Sequence, residues 1–286
     1  MNKMDGSKNI ETNILTVDIE DWFMDTDIST WHTYEDRIYV GANKIIELLN
    51  KSKANATFFI LGYVAERFPE LVERIKNEGH EIATHGYSHK PITKQTRSEF
   101  EEDLLKSVRI LEKITRDKVI GYRACQFTVM EETAWAIDVL KKNGFKYDSS
   151  IFPVKTHLYG VPDAPLYPYY VSSSNIKSEN NSEKNFLEIP LSIYRFPLLH
   201  KNIPIAGGFY LRLFPYWFIK YAIKKINEKN RKVILYIHPW ELDPDQPKVS
   251  NLKWYHYYNL SCTEKKFEYL LNDFRFVSIK EGILHE

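Results

Sequence analysis

Residues 14–22, Ile14-Leu15-Thr16-Val17-Asp18-Ile19-Glu20-Asp21-Trp22, join a short apolar run to three acids within four positions. A short apolar run between polar residues reads as a buried strand over Ile14–Asp18. Working outward, the same construction recurs. Ala56–Leu61 is a second strand, stopped by Gly62, and Glu81–Thr84 is a third, running into His85-Gly86-Tyr87-Ser88-His89. Val119–Arg123, Phe145–Asp148, Phe186–Ile189, Lys232–Ile237 and Phe274–Ile279 read the same way. Helical spacing fills the gaps at Lys44–Asn50, Pro69–Lys76, Thr96–Ile114, Glu131–Lys142 and Tyr216–Asn227, with a last helix starting near Ser261 and Glu264. Thr96 with Glu99 has capping-box spacing. Strands alternating with helices predict βαβ units and a mainly parallel sheet.

Such a sheet places its site at the carboxyl ends of its strands. Five predicted strands end in Asp18-Ile19-Glu20-Asp21, in the His85/His89 pair, in Arg123, in Asp148 and in His238. That recurrence says more than any single motif. Two histidines and a carboxylate can hold a metal and leave a position open for water. Three clustered acids need compensation if buried, and a metal or Arg123 would supply it. His238 follows an apolar run and could equally be a satisfied core histidine. Asp148, at another strand end, could orient it and raise its pKa.

The rest of the chain sets bounds. With 286 residues and 43% hydrophobic content there is ample material for a core, and disorder is excluded as the dominant state. The 39 basic against 38 acidic side chains leave no surplus for nucleic acid. Cys125 and Cys262 are too few and too far apart for a disulfide scaffold or a Cys-based zinc site, which fits a reducing compartment. No apolar run approaches a membrane span, and the first 13 residues lack a secretory pattern, so the expected location is cytoplasmic. No Gly-x-Gly-x-x-Gly or Walker loop points to a nucleotide cofactor. Residues 1–13 are expected to be flexible. Residues 172–185 (SSSNIKSENNSEKN) read as a mobile insertion. Residues 220–232 (KYAIKKINEKNRK) carry six Lys or Arg. They read as a solvated helix face, with peripheral contact to an anionic membrane as the alternative.

Together these stretches resemble the polysaccharide deacetylase family, which shares the NodB-homology domain and is carbohydrate esterase family 4-like. The closer likeness is to its cytoplasmic branch. The stretches are Thr16–Trp22, Ala56-Thr57-Phe58-Phe59, His80–His89, Gly121-Tyr122-Arg123-Ala124, Asp148-Ser149-Ser150, Gly207-Gly208-Phe209-Tyr210 and Tyr236–Glu241. The resemblance implies a distorted (β/α) barrel of about seven strands as one domain over 14–286. Its core motifs fill 14–247, with loop insertions and a C-terminal extension over 248–286. It implies one divalent metal, zinc first, with iron, cobalt or nickel as alternatives. It makes Asp18 the general base and His85 and His89 metal ligands. Glu20 becomes the carboxylate ligand, with Asp21 as rival. Arg123 would hold Asp18, and Asp148 would support His238 as general acid. A backbone N–H near Gln126 would face the oxyanion. The family's Arg-x-Pro motif reads Arg123-Ala124-Cys125 here.

The function implied is removal of N-acetyl groups from an amino sugar or saccharide precursor, free or linked to a nucleotide or lipid, in building a bacterial capsule or O-antigen. The alternatives are hydrolysis of a formamide or cyclic amide, a catalytically inactive sugar-binding relative, and, last, a two-carboxylate glycosidase. Aromatic residues make up 14% of the chain. Trp22, Tyr87, Tyr122 and Trp240 adjoin the proposed catalytic positions in sequence and could stack on a sugar. Trp31, Tyr159, Tyr167, Tyr169, Tyr170 and Tyr210 could rim the same mouth. Gln126, His157 and Arg212 complete the expected substrate contacts.

Overall fold

The computed structural model describes residues 12–156, 159–180, 182–196 and 202–284. The chain runs through β1 (Thr12–Ile19), α1 (Ile38–Ser52), β2 (Thr57–Ile60), α2 (Gly62–Arg67), α3 (Pro69–Asn77), β3 (Glu81–Thr84) and α4 (Arg97–Thr115). It continues through β4 (Gly121–Tyr122), α5 (Trp135–Lys142), β5 (Tyr147–Asp148), β6 (Tyr169–Tyr170), β7 (Leu187–Glu188) and the hairpin β8 (Ile193–Arg195) and β9 (Asn202–Pro204). It ends with α6 (Gly208–Leu213), α7 (Tyr216–Asn227), β10 (Ile234–Ile237), α8 (Trp254–Tyr257), α9 (Thr263–Asp273) and β11 (Arg275–Val277).

Seven strands lie side by side in the order β10-β1-β2-β3-β4-β5-β7 and run parallel. This is the mainly parallel sheet that the alternation predicts, curled as the family resemblance implies. It is not closed by a ladder between β7 and β10 among the described residues. Instead Ser192 N donates to Ile234 O, and Tyr236 N donates to Ala206 O, so the segments flanking the β8–β9 hairpin seal the gap. β11 pairs with β1 at Thr12–Ile14, below the stretch of β1 that pairs with β2. The last strand is therefore part of the main sheet. Of the stretch expected to be flexible, residues 1–11 lie outside the described residues, while Thr12 and Asn13 already belong to β1, and Asn13 is buried.

Helix positions show where local signals suffice. α4 begins with the expected capping box: Glu99 N donates to Thr96 Oγ1, and Thr96 N donates to Glu99 Oε2. α1 starts six residues before the apolar periodicity suggests. Its N-terminus is capped from a distance, because Arg37 N and Ile38 N both donate to Asp21 Oδ2. The expected helix at Glu131 starts as a 3-10 turn, and α5 follows from Trp135. Within 172–185, Ile176 is buried and its carbonyl accepts from Tyr169 Oη, so this polar stretch has one apolar anchor.

Candidate active site

Residues of one strand alternate between faces. Thr16, Asp18 and Glu20 therefore share the inner side of β1, and Asp21 points away from it. The structure uses this alternation. All three acids are buried. Asp18 Oδ1 accepts from Arg123 Nη1 at 2.7 Å, and the same nitrogen donates to Thr16 Oγ1. Arg123 is fully buried and also donates to Ser149 O and Ser149 Oγ. Its guanidinium lies 4.2 Å above the Phe59 ring, a cation–π contact. The expected Arg123–Asp18 pairing is present. Asp21 spends its carboxylate on three backbone N–H groups, those of Trp22, Arg37 and Ile38. It organises the start of α1 and leaves the ligand role to Glu20.

Glu20, His85 and His89 converge. His85 Nε2 lies 2.7 Å and His89 Nε2 3.1 Å from Glu20 Oε1. His85 Nδ1 donates to Arg123 O, and His89 Nδ1 donates to Met24 O. Carbonyl oxygens only accept, so these bonds put an N–H on each Nδ1 and aim each Nε2 at Glu20. Two imidazole nitrogens aimed at one carboxylate oxygen need positive charge between them, from a bound cation or, without one, from protons, and, against burial, Glu20 pushes His89 up to about 9. The three donor atoms lie within 4.8 Å of one another. Two imidazole nitrogens and a carboxylate are a donor set suited to a divalent transition metal. The carbonyl partners of Nδ1 are the usual outer support of ligating histidines. His89 reaches this position from a left-handed backbone, φ 53°.

His238 stands across the cleft. Its Nε2 is 3.9 Å from Asp18 Oδ2, and its Nδ1 donates to Glu241 Oε2 at 3.2 Å. Burial favours the neutral ring, but the carboxylates of Glu20, Glu241 and Asp18 outweigh it and push His238 up to about 9.

The expected partner of His238 was Asp148, and the structure corrects this. Asp148 sits against Glu188, its register partner on β7, and accepts from Ser150 Oγ. Burial pushes Asp148 to about 6 and Glu188 well above the usual carboxylate range. Two buried carboxyls side by side disfavour ionising together. Ser150 Oγ in turn accepts from Ala124 N, so the pair braces the loop after Arg123.

Glu241 holds His238, and Arg212 holds Glu241. Arg212 Nη2 donates to Glu241 Oε1 at 3.0 Å, with both side chains 1% exposed. Arg212 was expected to meet an anionic substrate. It does line the cleft, but it is buried, and its Nη1 donates to the carbonyls of Tyr255, His256 and Tyr258. The double glycine is explained here: a Cβ on Gly208 would collide with the Glu241 carboxylate.

The cleft has a volume of about 390 Å³ and is lined by Asp18, Glu20, His85, His89 and His238 at its base. Gln126 and Trp240 line it as expected, and so do Tyr159 and Tyr210. The sequence reading missed Phe209, Trp254, Tyr255 and His256, which also line it. Trp240 is sandwiched, stacking on His238 at 5.1 Å and on His256 at 4.1 Å.

Other aromatics expected at the mouth are elsewhere. Trp22 is buried and donates to Glu35 O. Tyr122 is buried against Phe100 and Phe145. Tyr87 lies under Lys106 Nζ and donates to Glu66. Trp31 is buried beside Tyr63, Tyr169 is buried in β6, and Tyr167 carries Arg231 on its outer face. Tyr170 is half-buried in β6 beside Tyr169. His157 lies outside the described residues.

Cys125 is buried, and burial pushes its thiol up, so a thiolate nucleophile is disfavoured. The turn it opens has positive φ at Gln126 (51°) and Phe127 (53°). Of the basic stretch, Lys220 pairs with Asp273 and Lys225 with Glu228. No helix among the described residues is long and apolar enough to cross a membrane.

Comparisons with known proteins divide the chain near residue 148. Residues 25–147 match the polysaccharide deacetylase family, and residues 149–284 match a domain of unknown function (DUF3473). A peptidoglycan deacetylase of Helicobacter pylori is 36% identical over 112 residues, 39% of this chain and 37% of that protein. The chain spans between a quarter and a half of the length of the first curated relatives it matches. Among solved structures, a Mycobacterium smegmatis protein assigned to the polysaccharide deacetylases aligns with TM-score 0.61 at 18% identity, covering 96% of this chain and 91% of that one. The Puue allantoinase aligns with TM-score 0.60 at 15% identity, covering 96% and 93%. At these identities the structural likeness speaks for the fold alone.

Proposed function

We propose that the chain, whose residues 25–147 match the polysaccharide deacetylase family, is a metal-dependent hydrolase removing N-acetyl groups from an amino sugar in a saccharide. The observation that carries this reading is the meeting, in one cleft, of the Glu20–His85–His89 donor set, the Asp18–Arg123 pair and the His238–Glu241 pair. A divalent ion held by Glu20, His85 and His89 would lower the pKa of water and polarise the acetamide carbonyl.

The chain's own groups supply the rest. Arg123 fixes Asp18 Oδ1, which leaves Oδ2 toward the cleft to take a proton from the attacking water. Glu241 holds Nδ1–H of His238, so its Nε2 proton faces the cleft and is handed to the departing amine. The Gln126 turn lines the cleft, where a backbone N–H would meet the developing oxyanion. Acetate and a free amino sugar result.

Aromatic rings around the cleft suit a sugar, whose apolar faces stack on them. The finer reading is a saccharide precursor of a bacterial surface polysaccharide, capsule or O-antigen, handled in the cytoplasm, with zinc as the ion. The same machinery would serve a formamide or a cyclic amide, and product analysis separates these.

The test is product release from N-acetylated oligosaccharides and nucleotide sugars by the zinc-loaded protein. Acetate is expected, and Asp18→Asn and His238→Ala should each lower the rate by roughly 10²–10⁴. Formate or a ring-opened amide in place of acetate would overturn the substrate class. Unchanged rates in both variants would overturn the residue roles.

A further inference from the structure

Helix α7 buries one side and shows the other. Ile219, Ala222 and Ile223 pack inward, while Trp217 is 69% and Tyr221 45% exposed. Helical spacing puts Trp217, Lys220, Tyr221, Lys224 and Lys225 on that outer side. The aromatic surface extends beyond the helix. Tyr221 packs on Tyr194 of β8, and Tyr216 packs on Tyr269 of α9, which is 40% exposed. Leu213, at the end of α6, is exposed as well. Rings left in water forgo burial energy, and a group of them marks a surface that meets something.

The charge around the rings says what. Lys220 pairs with Asp273 and Lys225 with Glu228. Lys224 and Lys265 make no ion pair among the described residues, and Lys265 Nζ stands 5.8 Å from the Tyr269 ring centre. Glu264 and Glu268 of α9 are engaged by Lys44 and Lys51 of α1. The face is therefore aromatic and net positive. Tryptophan and tyrosine favour the headgroup level of a bilayer, where the ring body meets hydrocarbon and its N–H or O–H stays wet. Lysines beside them meet anionic headgroups.

We propose that the outer face of α7, with Lys265 and Tyr269 of α9, docks this protein on an anionic lipid bilayer. The contact is shallow. The apolar side of α7 stays in the core, and only rings and lysine heads enter the headgroups. α6, which carries Phe209 into the cleft lining, leads directly into α7, so docking brings the cleft close to the lipid surface. The inference stands apart from the deacetylase reading, because binding is measured without turnover.

The test is co-sedimentation of the full chain with vesicles of phosphatidylcholine alone and of phosphatidylcholine with phosphatidylglycerol. Partitioning should rise about tenfold or more with the anionic lipid and fall back at about 0.5 M salt, where screening is strong. Changing Trp217→Ala and Tyr221→Ala together should lower binding to the anionic vesicles about tenfold. Lys224→Glu with Lys265→Glu should remove the preference for anionic lipid. Trp254→Ala, an equally exposed tryptophan on α8, should bind as the wild type does. All these side chains are exposed, so unmoved urea midpoints separate lost docking from unfolding. A wild type indifferent to anionic lipid overturns the proposal, and so does a preference that survives the aromatic or the lysine changes. Equal loss in Trp254→Ala overturns it too. A chain that is dimeric in ultracentrifugation, monomeric in Trp217→Ala and bound to no vesicle would give the face to a second copy instead.

Discussion

The two walls of the cleft use the same device in different ways. On the wall built by residues before 148, buried Arg123 binds Asp18 directly, and Asp18 itself faces the cleft. On the wall built by residues after 148, buried Arg212 binds Glu241, and Glu241 binds His238. The first wall fixes an acceptor with one contact. The second fixes a donor through an intermediate carboxylate, which both orients the ring and holds its proton. The half of the chain that matches the domain of unknown function thus places His238, Glu241 and Arg212 in the cleft, opposite Asp18, Glu20, His85 and His89.

Breaking either arginine tests whether the walls are alike in energy. Arg123→Ala strands the buried Asp18, and Arg212→Ala strands the buried Glu241. Losing one partner of a buried ion pair costs about 3–5 kcal/mol, so both should lower the urea midpoint strongly. Arg212→Ala should also loosen Tyr255–Tyr258, because three carbonyls lose their donor. Faster amide exchange at 254–258 in this variant, but not in Arg123→Ala, is expected. A surface-like loss of less than about 1 kcal/mol in either case would remove the shared device.

A milder change separates the walls in pH. Glu241→Gln keeps a hydrogen-bond acceptor for His238 Nδ1 but removes a charge that raises its pKa. The imidazolium is then lost at lower pH, so the alkaline limb of kcat/KM should move down, by about one unit. A profile whose alkaline limb does not move would mean that Glu241 does not tune the donor.

The smallest effect concerns the Asp148–Glu188 pair. A carboxyl whose folded pKa lies above its unfolded value binds its extra proton only when folded. Its contribution is present below about pH 4 and is lost as pH rises through about 6, the value for Asp148. Asp148→Asn can donate an amide N–H to Glu188 and so removes the need for a proton. The variant should gain about 1 kcal/mol relative to wild type between pH 4 and pH 8, read from urea midpoints. A difference independent of pH would show that the pair does not share a proton.

Sequence reading recovered what strand geometry controls. Asp18 and Glu20 are two apart on one strand, so alternation brings them together. His85, Arg123 and His238 each end or follow a strand of the same sheet, so the topology gathers them. It failed where adjacency in sequence was taken for adjacency in space. Tyr122 precedes Arg123 on β4, so alternation turns it outward against Phe100 of α4. Trp22 follows Asp21 into the turn that starts α1 and packs on Tyr34. Glu241 was visible in the His238-Pro239-Trp240-Glu241 stretch, but its role depends on a 3-10 turn that folds it back on His238. The paired glycine was the available signal for it, because Gly208 must make room for that carboxylate. Arg212 had no local signal, since its partners lie 29 residues away or more.

The central claim is that Glu20, His85 and His89 form one cation site at the base of this cleft. Calorimetric titration of the metal-free protein with zinc tests it most directly. The account predicts one tight site per chain, lost in Glu20→Gln and in His89→Ala and kept in Asp21→Asn. No binding by the wild type, or binding that survives Glu20→Gln but not Asp21→Asn, would contradict it.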